Sequence, residues 1–431
     1  MPFTLDTLYN LWQLRKSQWY DQQKLRKLQD KKLRALVNHA YASVRFYRQK
    51  FKTMSLRPSD ICTVDDLNKL PVITRKEVQD NYPDNIISAG TDLSACVKRK
   101  SSGSTGTPVE AVFSKKDQAF RYAIFLRAMF ECGFRITDKL ATVSYYDEKI
   151  TRWFQNMGIM RRRNIHSTNE ADRFVDILRA YQPDVLYSYS SYLGILAEAV
   201  RNQGITDLKP RVFFSHAEML DERTRSLVRK VFQREIFETY GSAEFMRLAW
   251  ECPEHTGLHM DCDGYVIEFL EDGEAVSPGE RGLLVVTSLD SYAMPLIRYS
   301  LGDYGVPSEE ACSCGRGLPL IRCIEGRSDD FIVLNGGRLV SPRRLSSAIG
   351  DTLGLGEYRI IQEDVDTILV EFVKDKGYSD NTCLEIARKL KGFLGADVEV
   401  RTAIVDAIPV DRSGKIKKVT SKVSKKQGFG I

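Results

Sequence analysis

Between residues 170 and 270 short apolar runs alternate with amphipathic segments, and that alternation restricts the chain to one class of fold. The pattern predicts helices over 171–181, 192–203 and 222–232, with strands over 185–189, 212–216 and 236–240. Parallel strands need long crossover connections, and helices supply them, so the spacing predicts an α/β sheet with parallel strands. In such sheets ligands gather beyond the carboxyl ends of the strands. Two loops hold that position: Ser215-His216-Ala217-Glu218 and Tyr240-Gly241-Ser242-Ala243-Glu244. A more strand-rich section follows, with strands expected over 265–270 and 282–288.

Residues 8–50 place Leu25, Leu28, Leu33, Leu36, Val37 and Ala40 at helical spacing. Their basic residues read as the solvated face of a docked helix rather than as a lipid contact. Short capped helices are expected at 65–70 and 74–77, then a helix over 116–132 burying Phe120, Ile124, Phe125 and Met129, and a strand over 140–146. Past Gly326-Arg327-Ser328-Asp329-Asp330, strands at 331–334, 358–362, 368–373 and 397–405 mix with helices at 343–349 and 383–393. That suffices for a small α+β domain of about a hundred residues. The expected architecture is a large N-terminal α/β domain, 1–327, with a strand-rich section around 250–316, and a small α+β C-terminal domain, 328–431.

No apolar run approaches the roughly eighteen residues of a membrane span, and the first residues lack a charged start followed by an apolar core. A cytoplasmic location is therefore expected, with no transmembrane segment. Residues 411–426 hold seven Lys or Arg against one Asp, a patch that suits polyphosphate better than nucleic acid in a chain whose net charge is only +6. Nine cysteines in a chain of this length do not make a disulfide scaffold. Cys62, Cys96, Cys132, Cys323 and Cys383 read as packing residues.

Residues 100–109 read KSSGSTGTPV. Ser101, Ser102, Ser104, Thr105 and Thr107 offer uncharged donors, while Gly103 and Gly106 let backbone amides approach an anion. The run lacks the Gly-Lys-Ser/Thr ending of a Walker A loop. Alone it has the composition of a linker, but close apolar flanks make it a tight loop within a domain. Tyr240 offers a ring beside which a base can lie, and Glu244 a carboxylate for Mg²⁺. Asp303 follows a turn glycine and suits the two hydroxyls of a ribose. Lys415 sits on the short turn Ser413-Gly414-Lys415, from which a charge can be delivered on domain closure. Cys252 and His259, followed by Cys312 and Cys314, supply the four ligands that structural zinc prefers. His255 is an alternative to His259, and Cys262 a spare.

Taken in order, SSGSTGTP (101–108), YGSAE (240–244), YSLGD (299–303), GRSDD (326–330) and SGK (413–415) resemble the core motifs of adenylate-forming enzymes. The likeness extends over nearly the whole chain and is nearest to the phenylacetate–CoA ligase-like branch, with its CapK-type subgroup. LVNHAYASVRFYRQKF, the CxxxxxxH…CxCGR pattern and YAMPLIRYSLGD carry that placement. The resemblance implies a large domain and a mobile C-terminal lid. It implies that an acid and MgATP give an acyl-adenylate and pyrophosphate, and that CoA then displaces AMP. Ser101 to Thr107 would hold phosphates, Ala217, Glu218 and Tyr240 would frame adenine with Gly241 and Ser242 in the same loop, and Glu244 would ligate Mg²⁺. Asp303 would bind ribose with Arg327 beside it, Asp329 would be the hinge, and Lys415 the adenylation lysine.

Two departures stand out. Ala243 replaces the commoner hydroxyl residue before Glu244, and residues 335–342 match the post-hinge loop only loosely. The acceptor is therefore CoA or, alternatively, an amine or hydroxyl of a sugar or natural product. Tyr145, Tyr146, Tyr187, Ser215 and His216 are the candidate acid pocket, suited to an aryl or arylacetic acid. His216 is read as a base or as a holder of that pocket. The resemblance also admits a homodimer. A non-catalytic nucleotide-binding relative is the reading of another class, against which Glu244, Asp303 and Lys415 stand together.

Overall fold

The computed structural model describes residues 4–100, 109–145, 153–168, 173–412 and 414–423. The glycine-rich stretch Ser101 to Thr107, expected to hold phosphates, and Tyr146 and Ser413 lie outside the described residues. Contacts divide the chain into two compact units: Met1–Gly133 with Thr239–Cys323, and Phe134–Glu238 with Ile324–Ile431. This cut differs from the division at 327 and 328, because the C-terminal segment packs with the parallel sheet of the second unit.

Five adjacent parallel strands run through the second unit, three from the alternating stretch and two that precede it, with Ile236–Tyr240 ending just past the unit's boundary at Glu238. Their order is Ile236–Tyr240, Val212–Ser215, Val185–Ser188, Lys139–Ser144 and Arg161–His166. The helices Phe174–Tyr181, Ser190–Gln203 and Glu222–Phe232 supply crossovers. Leu193, Leu196 and Ala197 pack with Leu186, Phe213, Val228 and Ile236 in one buried cluster. Each fully buried Leu or Ile there contributes roughly 1.5–3 kcal/mol. The three helices end on left-handed residues, Gln182, Gly204 and Gln233, which turn the chain sharply.

The same unit contains a four-stranded sheet in the order Glu399–Ile404, Thr367–Lys374, Leu355–Asp364, Val419–Ser421. Its central pair is antiparallel and its outer pairings parallel. The helices Pro342–Ile349 and Asp380–Leu394 pack in its core, the α+β module read from sequence. Charged residues join this module to the crossover helices. Arg201 reaches Asp375 at 2.6 Å, and Arg223 meets Glu198 at 2.7 Å, Asp375 at 3.4 Å and the Leu355 carbonyl at 3.0 Å.

In the first unit the helix expected over 8–50 is three: Leu5–Ser17, Gln22–Ser43 and Arg45–Thr53. Asp21 caps the second by accepting from the Lys24 amide, and extended Val44 separates the second from the third. The helix Lys115–Glu131 is buried nearly all round. Its fully buried Arg127 pairs with Asp261 and Asp263, so no charge there is left without a partner. Strands Val97–Lys100 and Glu110–Phe113 pair with Lys100 opposite Glu110, which brings the two ends of the glycine-rich stretch together. Of the cysteines read as packing residues Cys132 is buried, and Cys383 packs half-buried against the core of the C-terminal module. Cys62 is exposed, and Cys96 and Cys323 are partly so, a correction to their reading as packing residues.

Candidate active site

In the second unit, the loop after strand Val212–Ser215 carries His216, Ala217 and Glu218. The His216 amide donates to the Ser188 carbonyl at 3.0 Å, and Nε2 bonds the Val143 carbonyl at 3.1 Å, which fixes the proton on Nε2. The ring stacks on Tyr187 with centroids 4.2 Å apart and leans on Tyr189 at 5.1 Å. Burial, helped by the charge of Lys415, lowers its pKa to about 3. The imidazole is thus neutral and already donating. The geometry suits a group that holds the aromatic wall better than a base. Tyr145, at 44% exposed, stands outside that wall against His166.

Ala217 adopts φ +63, a conformation that side chains resist. The loop is held there by Glu218. Its carboxylate accepts from the Ser191 amide at 2.8 Å, the Ser191 hydroxyl at 3.1 Å and the Ile416 amide at 2.8 Å. Tyr189 gives helix Ser190–Gln203 no side-chain cap, so Glu218 provides one from another loop. Burial pushes the Glu218 carboxyl above its ordinary pKa despite these donors.

Lys415 follows a turn in which the Gly414 amide donates to the Asp411 carbonyl and the Lys415 amide to the Asp411 carboxylate. Gly414 has φ +76, and a Cβ there would lie 2.5 Å from the Ser167 carbonyl oxygen, so only glycine permits this approach. The Lys415 ammonium lies 5.5 Å from the centre of the Tyr189 ring. Three residues on, buried Lys418 sits between Asp221 and Glu357. Burial opposes the charge of Asp221, but Lys418 and the Thr224 amide hold its carboxyl down to about 2. Lys417 and Lys422 meet Asp330 and Glu363. Among the described residues of the basic tail, carboxylates neutralise three lysines. Arg327 ends strand Leu320–Arg327 and precedes the short turn of helix Ser328–Asp330.

In the first unit, the Tyr240 hydroxyl donates to Asp303 at 2.7 Å, joining two of the residues singled out from sequence. A Cβ on Gly241 would fall 1.8 Å from the Met246 carbonyl oxygen, so this loop closes only around glycine. The Ser242 hydroxyl accepts from the Phe245 amide at 3.3 Å, and its carbonyl from the Met246 amide at 2.6 Å. Buried Arg121 donates to the carbonyls of Ala243 and Glu244 at 3.0 and 2.6 Å. Nothing in the local sequence announces this residue, which lies over a hundred positions from the loop it braces. Burial lowers its pKa to about 10. Glu244 is buried, with the Tyr299 hydroxyl 3.4 Å from one oxygen.

The ligand atoms of Cys252, His259, Cys312 and Cys314 all lie within 4.8 Å of one another. Cys252 follows strand Ala249–Glu251, and His259 is the middle residue of strand Leu258–Met260 beside it. Cys312 and Cys314 come from the loop leading into strand Leu320–Arg327, which pairs Leu320 with His259. The Cys252 and Cys312 sulfurs are 3.6 Å apart, too far for a disulfide and near the ~3.8 Å edge of a tetrahedron with 2.3 Å metal–sulfur bonds. His259 donates from Nδ1 to the Leu318 carbonyl at 3.1 Å, which leaves the Nε2 lone pair for the cluster, 3.3 Å from the Cys314 sulfur. His255 instead faces Glu251 at 3.3 Å and lies outside the group, as does Cys262.

Known proteins resemble this chain in sequence and in fold. Residues 332–422 match the family model of the CapK C-terminal domain. The chain is 26% identical over 440 residues to the phenylacetate-coenzyme A ligase of Thermus thermophilus, covering 92% of this chain and 96% of that one. It is 24% identical over 406 residues to protein CapK of Staphylococcus aureus, covering 90% and 87%. A crystal structure of 2-hydroxyisobutyryl-CoA ligase in its postadenylation state superposes with a TM-score of 0.78 at 18% identity, over 93% of this chain and 90% of that one. The chain has the fold of the adenylate-forming CoA ligases, is distantly similar to phenylacetate-coenzyme A ligase and to CapK, and over residues 332–422 matches the CapK C-terminal domain.

Proposed function

We propose that this protein activates a carboxylic acid with ATP, forming an acyl-adenylate and pyrophosphate, and then transfers the acyl group to CoA with release of AMP. The observation that carries this reading is the anchoring of Lys415. Glu218, Gly414 and Asp411 fix the main chain on either side of it, and its ammonium is presented beside Tyr189 and the neutral His216. A fixed cation facing an apolar wall at strand carboxyl ends suits stabilisation of charge that develops on a phosphoryl group.

In this reading Tyr240 and Asp303 take the adenosine, with Ala217, Glu218, Gly241, Ser242 and Arg327 in support, and Ser101 to Thr107 take the phosphates. Glu244 has carboxylate oxygens to offer Mg²⁺, which would supply charge neutralisation between phosphates. Residues 328–431 act as the lid. Cys252, His259, Cys312 and Cys314 hold a structural Zn²⁺, in keeping with their soft donors and spacing. Tyr187 and His216 favour an aryl or arylacetic acid.

A second reading, transfer of the adenylate to an amine or hydroxyl, draws on the likeness to CapK. Pyrophosphate release over a panel of carboxylic acids, with and without CoA, tests both. Release coupled to thioester formation with an arylacetic acid is the expected result. Release indifferent to CoA, consuming an amine or alcohol, would favour the second reading, and no release with any acid would overturn both.

A further inference from the structure

The first helix, Leu5–Ser17, has two apolar faces. Thr7, Leu11, Leu14 and Ser17 are buried against the first unit. On the opposite side, at spacings of three and four, Leu5 is 84% exposed, Leu8 41%, Tyr9 61% and Trp12 57%, and Trp19 just beyond the helix is 51% exposed. A solvated helix normally presents charge there, and a contiguous exposed apolar stripe marks a surface that something covers.

The charge around this stripe selects the partner. Between Leu5 and Thr53 the chain has twelve Lys or Arg and three Asp, with no Glu. That excess of nine is larger than the whole chain's net +6, so the remainder is net acidic and the positive charge is concentrated in this helical layer. Lys24, Lys27, Lys31 and Arg34 recur at helical spacing on the exposed side of helix Gln22–Ser43. The Lys16 ammonium lies 5.0 Å from the Trp12 ring centre, so a cation borders the apolar stripe itself. A second copy docking symmetrically through this face would bring two basic layers together. An anionic bilayer complements the charge, and tryptophan, tyrosine and leucine beside lysine are the residues that settle at headgroup depth.

We propose that the helix Leu5–Ser17 docks on an anionic lipid surface, with Leu5, Leu8, Tyr9 and Trp12 entering the headgroup region and the basic residues of the N-terminal layer facing lipid phosphates. This proposal departs from the reading of these basic residues as a solvated face. Charge pattern alone does not separate the two, and the exposed aromatic stripe beside the charges favours the lipid surface. The association is peripheral, since no helix among the described residues is long and apolar enough to span a membrane.

Flotation of the full-length protein with phosphatidylcholine vesicles, with and without phosphatidylglycerol, tests this inference. Binding is expected only to the anionic vesicles, weakening as salt is raised, with a blue shift of tryptophan emission. The double variant Leu8→Ser, Trp12→Ser should lose about tenfold or more in partitioning, and so should Lys27→Glu, Lys31→Glu, while both keep the native circular-dichroism spectrum. Equal binding to both vesicle types, or none, would overturn the inference. So would a concentration-dependent dimer, seen by light scattering and abolished by Leu8→Ser, Trp12→Ser without any vesicle binding.

Discussion

Glu218 accepts the backbone amide of Ile416 at 2.8 Å, so a buried carboxylate beyond the strand Val212–Ser215 grips the residue next to Lys415. The same carboxylate caps the helix Ser190–Gln203 through Ser191. Replacing Glu218 by Ala strands both amides at about 1–3 kcal/mol for each that stays buried, and adenylation should fall at least tenfold. Glu218→Gln should fall between the two. Because burial raises the pKa of Glu218, its contribution to stability is full below its ordinary value of 4.5 and declines as pH rises through the raised value. Thermal melts of wild type and Glu218→Gln across that range should converge at low pH and diverge above it; parallel curves would refute the coupling.

Lys415→Ala should cost adenylation about 10²–10³ in rate, the scale for losing one donor aimed at developing charge. Thioester formation from supplied acyl-adenylate and CoA should be nearly unchanged. Single-turnover assays of each half-reaction check this, and equal losses in both would refute the assignment of Lys415 to the first.

Tyr240→Phe removes one donor to Asp303 while leaving the ring in place. A loss of about 1 kcal/mol, or roughly fivefold in the KM for ATP, is expected, with kcat little changed. A variant with normal ATP affinity would separate Tyr240 and Asp303 from nucleotide binding.

His216 should remain neutral as pH falls through 6.5, and acquire charge only toward pH 3. Lys415, Arg162, Tyr187 and Tyr189 are the groups that surround it. Its folded pKa lies below the unfolded one, so the stability it contributes is complete above pH 6.5 and is lost progressively below. Histidine NMR measures this directly, and a ring that titrates near 6.5 would contradict the packed, donating imidazole.

Purified protein should contain one zinc per chain, by elemental analysis. Cys312→Ser or Cys314→Ser should release it and lower the thermal midpoint by several degrees, on the scale of about 2–4 °C per kcal/mol. Full metal content in Cys252→Ser would exclude that residue as a ligand.

The sequence by itself determined the periodic parts of this protein. The helix Glu222–Phe232 and the strand Ile236–Tyr240 were legible to the residue, because apolar period and end signals are local properties. The ordered motifs pointed to the same chemistry, and ligand spacing selected all four members of the Cys/His cluster, leaving only the choice between His255 and His259. The fold decided that choice, since His259 lies in a strand aimed at the thiols while His255 faces Glu251. Only the tertiary structure paired Glu218 with Ile416, Lys418 with Asp221 and Arg121 with the Glu244 loop. These partners stand more than a hundred residues apart, where no periodicity reaches. It also showed His216, read as a base or a holder of the pocket, as a buried imidazole bonded to the Val143 carbonyl, its pKa lowered by burial and neighbouring charge, neither of which is written in local sequence.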